Sequence, residues 1–469
     1  MGEDESALLE ELLALLQGAG VEVRCQYFDQ PPKNAGGLCQ LYGQRLVLLD
    51  SGAQKAEHCQ VLLEAAEQLG LAQLGRAGSD LSPGLLARLN RRGRMPWPHP
   101  AQAPSVAKTS ATAPEKNSTV SLSSPLSMLT TMQVGGAAEE LITVETEKDL
   151  IGAATEACKQ NRPLHVLGGG SNIVAADAGV KGVVLLVRTR GISVERDGDW
   201  ATVTAQAGEN WDALVSRVTD EGLAGIHCLG GIPGRVGATP IQNVGAYGQE
   251  VSQSITQVRV FDRRTGQLAA LSAEQCEFSY RDSLFKSKRP DRYIVLSVAF
   301  KLKVARRAAL AHRELWTSLA QKDPAISDVL KRVIELRRAK SMVLDESDEN
   351  TRSCGSFFVN AMVSARQLEH INAVAGTEAP CYRQSDDLFK VPSAWLIERS
   401  GLKKGHRQGA VGLSTKHTLC VVAHPGATAH AIVEFAGQIR DRVQATFAVR
   451  LIPEPNFWGF PHVSDGLPA

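Results

Sequence analysis

The stretch from Gly230 to Gly248 reads GGIPGRVGATPIQNVGAYG and decides the fold. It holds six glycines in nineteen residues, with polar side chains between them. Ordering so many glycines costs backbone entropy, whereas a main chain without side chains is useful where a ligand must approach it closely. The stretch therefore predicts a loop that binds a ligand through its backbone.

A second glycine loop lies earlier in the chain. Residues 164–172 read LHVLGGGSN, an apolar strand pattern that runs into three glycines, a hydroxyl and an amide. Such a loop can present backbone N–H groups to a phosphate, although alone it is equally consistent with a turn that binds nothing. A Rossmann fingerprint needs a third glycine three places after Gly170, where Ile173 stands, and a long helix directly afterwards. We therefore reject a Rossmann fold, and the two loops together suggest a cofactor that carries pyrophosphate.

Composition limits the classes of function. The 51 lysines and arginines balance 50 acidic residues, so no overall charge attracts nucleic acid or an acidic membrane. The nine cysteines form no CxxC pair, and His58–Cys59 has no second ligand pair, so we expect neither a disulfide framework nor a metal site. The start of the sequence lacks a secretory pattern, and no apolar run approaches the ~20 residues that span a bilayer. We expect a cytoplasmic protein.

Changes in composition and hydrophobic pattern along the 469 residues predict several domains. Residues 94–125 are rich in proline, alanine and serine and predict a linker. Before it, patterns at 6–17, 43–50 and 57–69 predict helix, strand and helix in a small α/β extension over 1–93. From residue 126, short strands broken by glycines predict an α+β region. Helices are expected at 147–160, 324–340 and 430–447, among others, and the last strand is expected at 449–460.

Four further motifs follow the glycine loops. They are FSYRDSLFK at 278–286, SCGSFFVN at 353–360, PSAWLIE at 392–398 and PEP at 453–455. In identity and order, all six motifs resemble the UDP-N-acetylenolpyruvoylglucosamine reductase family, which shares its FAD-binding fold with the vanillyl-alcohol oxidases. The resemblance covers roughly residues 126–460.

The resemblance implies a fold and a reaction. The fold is α+β, with an FAD-binding domain of the vanillyl-alcohol-oxidase (PCMH) type in two subdomains over 126–303 and an α+β substrate domain over 304–469. The reaction is reduction of UDP-N-acetylglucosamine enolpyruvate to UDP-N-acetylmuramate for peptidoglycan synthesis, with NADPH as the electron donor and FAD as the carrier. The partner is then a small UDP-sugar, with no nucleic acid and no membrane insertion. The extension faintly resembles a metallopeptidase-like module without HExxH, but we favour a small α/β adaptor whose role the sequence does not define and which could contact a protein partner.

Three catalytic residues follow from the resemblance. Ser356 corresponds to the family's proton donor, although in isolation it is better explained as a buried serine that caps a turn. Arg281 corresponds to the active-site arginine, and its planar fork of donors suits a developing enediolate. The alternative is a surface network with Asp282. Glu454 corresponds to the glutamate that acts with that arginine at the substrate carboxyl, against the alternative of a solvated acid between prolines.

The resemblance also assigns binding residues. The FAD-binding set comprises Gly168, Gly169, Gly170, Ser171, Asn172, Gly231, Ile232, Pro233, Gly234, Gly237, Ala238, Thr239, Gln242, Asn243, Gly245, Ala246 and Tyr247. Lys340 and Asn360 correspond to contacts with the UDP-sugar, although a lysine at this place could equally be a solvated helix end. His312 stands near the place of a family tyrosine and is assigned to the substrate, against the alternative of a surface histidine.

Some residues leave other functions open. Asn456 stands where the family often has an arginine, so one charge contact is missing. Cys354 lies two residues before Ser356 but has no evident histidine partner, and we interpret it as a packing residue. Two rivals remain: an oxidase of the same FAD fold, and a flavin-binding regulatory protein that has lost catalysis. The first is disfavoured because Ser356, Arg281 and Glu454 occur together.

Overall fold

The structure is a computed structural model that describes residues 125–307, 312–319 and 323–460, with shorter segments outside them. These segments are 12–13, 16, 21–26, 36–41, 44–50, 58–59, 61–62, 65–66, 119–121, 463–464 and 467–468. The chain divides into two compact units, Met1–Thr112 and Ala113–Ala469. The division falls inside the segment predicted as a linker, most of which lies outside the described residues. The bounds of the four predicted segments, 1–93, 94–125, 126–303 and 304–469, therefore stay predictions. No helix in the described ranges is long and apolar enough to cross a membrane.

The first unit contains a three-stranded sheet. Its central strand, Gln44–Asp50, pairs in parallel with Glu22–Gln26 and antiparallel with Gly36–Leu41. This confirms the strand predicted at 43–50. The described residues between 58 and 66 are helical, as predicted for 57–69, whereas only 12, 13 and 16 of the helix predicted at 6–17 are described.

A four-stranded sheet opens the second unit. Its strand order is Thr119–Ser121, Ala138–Val144, Val180–Val187 and Leu164–Leu167, so residues 119–121 pair within the sheet although they lie in the predicted linker. Helix Glu147–Lys159 begins where the Thr146 hydroxyl accepts the Asp149 N–H at 3.1 Å. It buries Leu150, Ala154 and Ala157, one face of a helix, which confirms the helix predicted there.

An antiparallel sheet packs beside it through a shared core. Its strands, in order, are Gln267–Ser272, Ile255–Asp262, Tyr293–Val304, Trp200–Gln206 and Ile192–Asp197, with Leu223–Ala224 beside Tyr293–Val304. The core combines Val183 and Leu185 from the first sheet with Val203 and Val298 from the second. The helix Trp211–Asp220 also packs into this core, and its Trp211 donates from Nε1 to the Leu229 carbonyl at 3.0 Å. The two sheets therefore form one body.

Small sheets and three helices form the last part of the second unit, around a core that includes Phe357, Phe358 and Phe435. The sheets are Ala361–Val363 with Leu388–Val391 and Tyr382–Ser385, and Arg407–Gln408 with Val411–Leu413 and Val421–Ala423. The helices are Ala365–Ala375, Ser393–Arg399 and Ala429–Phe447. Two more helices, Arg313–Leu319 and Ile326–Ala339, precede them. The predictions at 324–340 and 430–447 are confirmed.

The prediction of a last strand over 449–460 is wrong in its extent. The strand covers only Asn456–Trp458, and short strands Val463–Ser464 and Leu467–Pro468 follow it. Pro453 and Pro455 have no N–H groups, so they interrupt the hydrogen-bond ladder. Instead, Asn456–Trp458 pairs in parallel with Ile173–Ala175, the strand directly after the first glycine loop. This pairing brings the PEP motif to that loop.

Candidate functional site

A cavity of about 380 Å³ lies where the glycine loops meet the later motifs. Its wall combines Trp211 and Arg263 with six segments, and residues between 164 and 173, 232 and 245, 281 and 294, 337 and 344, 351 and 356, and 454 and 458 contribute to it. Cavities of this size, with converging polar groups, are typical of cofactor and substrate sites. Five of the six sequence motifs thus contribute to one cavity, whereas PSAWLIE at 392–398 lies outside its lining.

The first glycine loop presents unpaired backbone donors to this cavity. Across the described part of the chain, no acceptor pairs with the N–H groups of residues 168–172. The loop is held from its side chains: Ser171 Oγ donates to the Pro233 carbonyl at 2.9 Å, and Asn172 Nδ2 donates to Gln242 Oε1 at 2.9 Å and to the Glu454 carbonyl at 3.1 Å. Consecutive free N–H groups form an anion-binding concavity. This donor set fits the pyrophosphate of FAD.

Several loop glycines are required by packing as well. A Cβ on Gly169 would lie 2.8 Å from the Gly234 Cα, and one on Gly170, where φ is +65°, would lie 2.0 Å from the Leu129 carbonyl oxygen. A Cβ on Gly237 would lie 2.5 Å from that of Ala207. Close contact between main chains therefore selects glycine here in addition to the approach of a ligand.

Backbone N–H groups of the second glycine loop are held by hydrogen bonds to residues outside the loop. The Gly231 N–H donates to Asp212 Oδ1 at 2.6 Å, and the Gly237 N–H donates to the Ala207 carbonyl at 2.9 Å. The predicted FAD residues of this loop that line the cavity are Ile232, Pro233, Gly234, Ala238, Thr239, Gln242 and Gly245. Five others lie outside the lining, namely Gly231, Gly237, Asn243, Ala246 and Tyr247. Their contact with FAD stays a prediction.

Arg281 and Glu454 meet inside the cavity. Arg281 Nε lies 3.4 Å from Glu454 Oε1, while Nη2 donates to the Gly245 carbonyl at 2.5 Å and Nη1 to the Asn243 carbonyl at 3.3 Å. The guanidinium therefore pairs with the carboxyl and the glycine loop rather than with Asp282. Burial raises the pKa of Glu454, and the Arg281 and Lys286 cations oppose that shift. A carboxyl in this position can bind a proton more readily than an exposed one.

Ser356 lies on a turn in the same wall. The N–H of Gly355, whose φ is +70°, donates to Ser353 Oγ at 3.2 Å, so Ser353 caps this turn. The Phe357 side chain is fully buried, and its carbonyl accepts the Glu454 N–H at 2.9 Å. The backbone thereby links the segment of Ser356 to that of Glu454. Burial raises the pKa of the Cys354 thiol to about 12, which keeps the sulfur neutral and agrees with its interpretation as a packing residue.

The predicted substrate residues lie outside the cavity lining. Lys340 Nζ pairs with Glu314 at 2.9 and 3.0 Å and lies 5.7 Å from the Tyr247 ring. The His312 ring meets the same tyrosine edge to face, with 5.3 Å between centroids. Burial lowers the pKa of His312, which favours neutral imidazole.

Asn360 is occupied by protein groups. Its Nδ2 donates to the Tyr280 hydroxyl at 3.1 Å, and its Oδ1 accepts the Ser393 N–H at 3.2 Å. Since Tyr280 precedes Arg281, this amide supports the arginine turn. Its predicted contact with the substrate stays a prediction.

Four cations in the cavity wall have no role assigned from the sequence, namely Arg235, Arg263, Lys286 and Arg337. Lys286 belongs to FSYRDSLFK, and Arg337 belongs to the RRAK segment, which reads as an ordinary positive helix end. Arg337 is only 9% exposed, and its Nη2 donates to the Met342 carbonyl at 2.8 Å. Burial lowers its pKa to about 10, so it stays charged near neutral pH. The sequence feature that could have identified Arg337 is its position, as a charged residue, on the apolar face of helix Ile326–Ala339.

The fold and the donor-lined cavity define a flavoprotein. A family model described as an FAD binding domain matches residues 138–272, and a model for the UDP-N-acetylenolpyruvoylglucosamine reductase C-terminal domain matches residues 346–458. Two curated proteins named UDP-N-acetylenolpyruvoylglucosamine reductase are similar over 343 residues. The one from Thermobifida fusca is 44% identical across 71% of this chain and 96% of its own length, and the one from Salinispora arenicola is 45% identical across 70% and 93%.

The chain belongs to the UDP-N-acetylenolpyruvoylglucosamine reductase family. The family resemblance and the α+β fold with an FAD-binding domain, both predicted from the motifs, are confirmed. Among solved structures, the reductase from Thermus caldophilus is similar with a TM-score of 0.48 and 27% identity, over 73% of this chain and 99% of that chain.

Proposed function

We propose that the chain reduces UDP-N-acetylglucosamine enolpyruvate to UDP-N-acetylmuramate, with NADPH as donor and FAD as bound cofactor, in peptidoglycan precursor synthesis. The protein is a flavin-dependent oxidoreductase, as its named relatives and its FAD-binding domain indicate. The observation that carries the proposal is that Ser356, Arg281 and Glu454 line the same cavity as the first glycine loop.

The first loop supports binding of FAD. The N–H groups of residues 168–172 would hold its pyrophosphate, and the half-buried Arg235 adds positive charge to the same wall. When bound there, FAD would supply the hydride-transfer chemistry between NADPH and the substrate. The protein's part is to bind, orient and exclude water.

Arg281 and Glu454 would hold the substrate carboxyl. Hydride delivery to one carbon of the enolpyruvyl double bond leaves negative charge on the neighbouring carbon and its carboxylate. The Arg281 cation, fixed by two loop carbonyls, stabilises that charge without reorganising. A protonated Glu454, favoured by its burial, would donate a hydrogen bond to the same carboxylate.

Ser356 would donate the final proton. A serine hydroxyl is a very weak acid, so it transfers a proton only to a strongly basic carbon held in contact. The Ser353 hydroxyl caps the turn, which leaves Ser356 unneeded for that purpose. The proton goes from Oγ to the carbon next to the carboxylate, and solvent reprotonates the serine.

The remaining assignments complete the proposal. Lys340 would exchange Glu314 for a diphosphate oxygen of the UDP-sugar, and Asn360 and His312 would supply further contacts with the substrate. The family matches at 138–272 and 346–458 lie inside the two domains predicted at 126–303 and 304–469, and they support that division. We further propose that residues 1–93 contact a protein partner. A cytoplasmic location fits the nucleotide-sugar substrate and the seven free cysteines described by the structure.

Product analysis tests the proposed function. The FAD-loaded full chain is incubated with NADPH and UDP-N-acetylglucosamine enolpyruvate, and the product is identified by mass spectrometry. We expect a gain of two hydrogens, equimolar with the NADPH consumed. Bound FAD with no consumption of NADPH would favour the regulatory rival, and oxidation of an alcohol in place of reduction would favour the oxidase.

A further inference from the structure

Lys286 lies beside the catalytic pair without belonging to it. It occupies a short helical turn, Leu284–Lys288, which Ser283 begins by accepting the Phe285 N–H at 3.2 Å. Its side chain lines the cavity. Within the described residues, the acceptor of its Nζ is the Arg281 carbonyl, at 3.0 Å.

That carbonyl belongs to a strained residue. Arg281 has a φ of +56°, in the left-handed region that side chains other than glycine adopt at a cost of about 1 kcal/mol. The strained turn aims the guanidinium at Glu454 and at the second glycine loop. A hydrogen bond from an ammonium group to the Arg281 carbonyl stabilises the backbone in this orientation.

The charges around Glu454 give Lys286 a second effect. The Arg281 and Lys286 cations face the Glu454 carboxyl, with the Tyr280 hydroxyl and the Cys354 thiol as neutral neighbours. Lys286 in turn faces Asp282 and Arg281, besides Glu454. Its cation favours the ionised carboxylate, and its removal would make Glu454 harder to ionise.

We propose that Lys286 is a positioning residue for the reductase reaction, whose ammonium holds the Arg281 turn so that the guanidinium stays against Glu454. The inference rests on the proposed function. It concerns the geometry of the pair, since Lys286 itself transfers no proton.

Variants of two neighbouring lysines test this inference. Lys286→Met removes both the charge and the donor, Lys286→Gln keeps a donor without charge, and Lys286→Arg keeps both. Lys288→Met is the matched control, because Lys288 lies on the same turn but is exposed and pairs with Glu277. The pH profile of kcat/KM and the FAD content are measured on each full-length, FAD-loaded protein.

For Lys286→Met, we expect kcat/KM to fall roughly tenfold or more, as for loss of a charge-assisted hydrogen bond, with FAD content unchanged. Activity that needs protonated Glu454 falls as pH rises through its pKa. Without the Lys286 cation this decline should move to higher pH. Lys286→Gln should show the displaced decline with a smaller loss of rate, and Lys286→Arg and Lys288→Met should resemble the wild type.

The possible failures are distinguishable. A wild-type chain that does not reduce the UDP-sugar overturns the proposed function and this inference with it. An active wild type together with an unchanged Lys286→Met overturns the inference alone. Loss of activity in proportion to lost FAD, with the pH profile unmoved, also overturns it, because Lys286 would then only stabilise the fold.

Discussion

Ser356, Arg281 and Glu454 line one cavity and form an inner cluster, whereas Lys340, His312 and Tyr247 form an outer cluster that does not line it. The inner residues are far apart in sequence and are joined by the Phe357–Glu454 hydrogen bond and by the strand Asn456–Trp458. In the outer cluster, the Lys340 charge is already paired with Glu314.

The two clusters show that a residue assigned from a sequence motif need not line the cavity that contains the proposed catalytic residues. A motif identifies a residue with its family counterpart, but the chemistry depends on which groups converge and which charges stay available. We therefore expect variants of the inner cluster to change the chemical step and variants of the outer cluster to change substrate binding.

The largest effect is expected for Ser356→Ala. Without its proton donor, the reaction should slow by about 10²- to 10⁴-fold in kcat, the usual contribution of a general acid. Steady-state oxidation of NADPH with saturating UDP-sugar measures this, with the exposed Ser347→Ala as control. A Ser356→Ala enzyme within a few-fold of the wild type would break the comparison, because solvent would then supply the proton.

Glu454→Gln should lower kcat/KM by about 10²-fold, since the amide cannot respond to the charge that develops on the substrate carboxyl. The free energy of unfolding of the Glu454→Gln variant should also lack a pH-dependent component that the wild type has. The folded pKa of Glu454 is raised above its ordinary value of 4.5, so the folded state retains a proton that the unfolded state has released. The free energy of unfolding of the wild type should thus contain a component that is full below pH 4.5 and is lost as pH rises through the raised pKa.

Chemical denaturation across that pH range, with the exposed Glu434→Gln as control, measures the difference. If Glu454→Gln and the wild type show the same pH dependence, the buried carboxyl is ionised throughout, and its proposed role as a hydrogen-bond donor is wrong.

Lys340→Met should raise KM for the UDP-sugar by roughly tenfold and leave kcat unchanged, as expected when an interaction is equally strong in ground and transition states. Lys331→Met, an exposed change on the same helix, is the control. A fall in kcat comparable with that of Ser356→Ala would place Lys340 functionally in the inner cluster.

The smallest effect is expected for His312→Phe. The phenyl ring can keep the packing against Tyr247, and the buried Nδ1 of His312 has no hydrogen-bond partner among the described residues. The change should alter KM by less than about threefold and the free energy of unfolding by less than about 1 kcal/mol. Kinetics and thermal unfolding check both. A rise in KM as large as that of Lys340→Met would identify the imidazole as a substrate ligand.

Sequence patterns predict the structure correctly where local features, such as periodicity and capping, determine it. The strand into Gly168–Gly170 and the helix at Glu147–Lys159 follow from periodicity and capping, and Ile173 correctly excludes the Rossmann fold, because a short strand follows the loop. The family resemblance likewise implies one site for Arg281, Ser356 and Glu454, and all three line the same cavity.

Sequence patterns do not predict features that are determined by contacts between residues distant in the sequence. The requirement for Gly169 and Gly170 comes from backbones that lie far away in sequence, which no local window contains. The end of the chain forms only a short strand at Asn456–Trp458 because two prolines interrupt it and a parallel partner lies at 173–175. The contact of Lys286 with Arg281 depends on the left-handed conformation of Arg281, which the sequence around it does not predict.

The central claim is that this cavity passes reducing equivalents from NADPH to an enolpyruvyl UDP-sugar. Anaerobic stopped-flow absorbance tests it most directly: the FAD-loaded chain is reduced with NADPH and then mixed with UDP-N-acetylglucosamine enolpyruvate. The account predicts rapid reoxidation of the flavin, which Ser356→Ala largely loses. A reduced flavin that stays reduced in the presence of the UDP-sugar would contradict it.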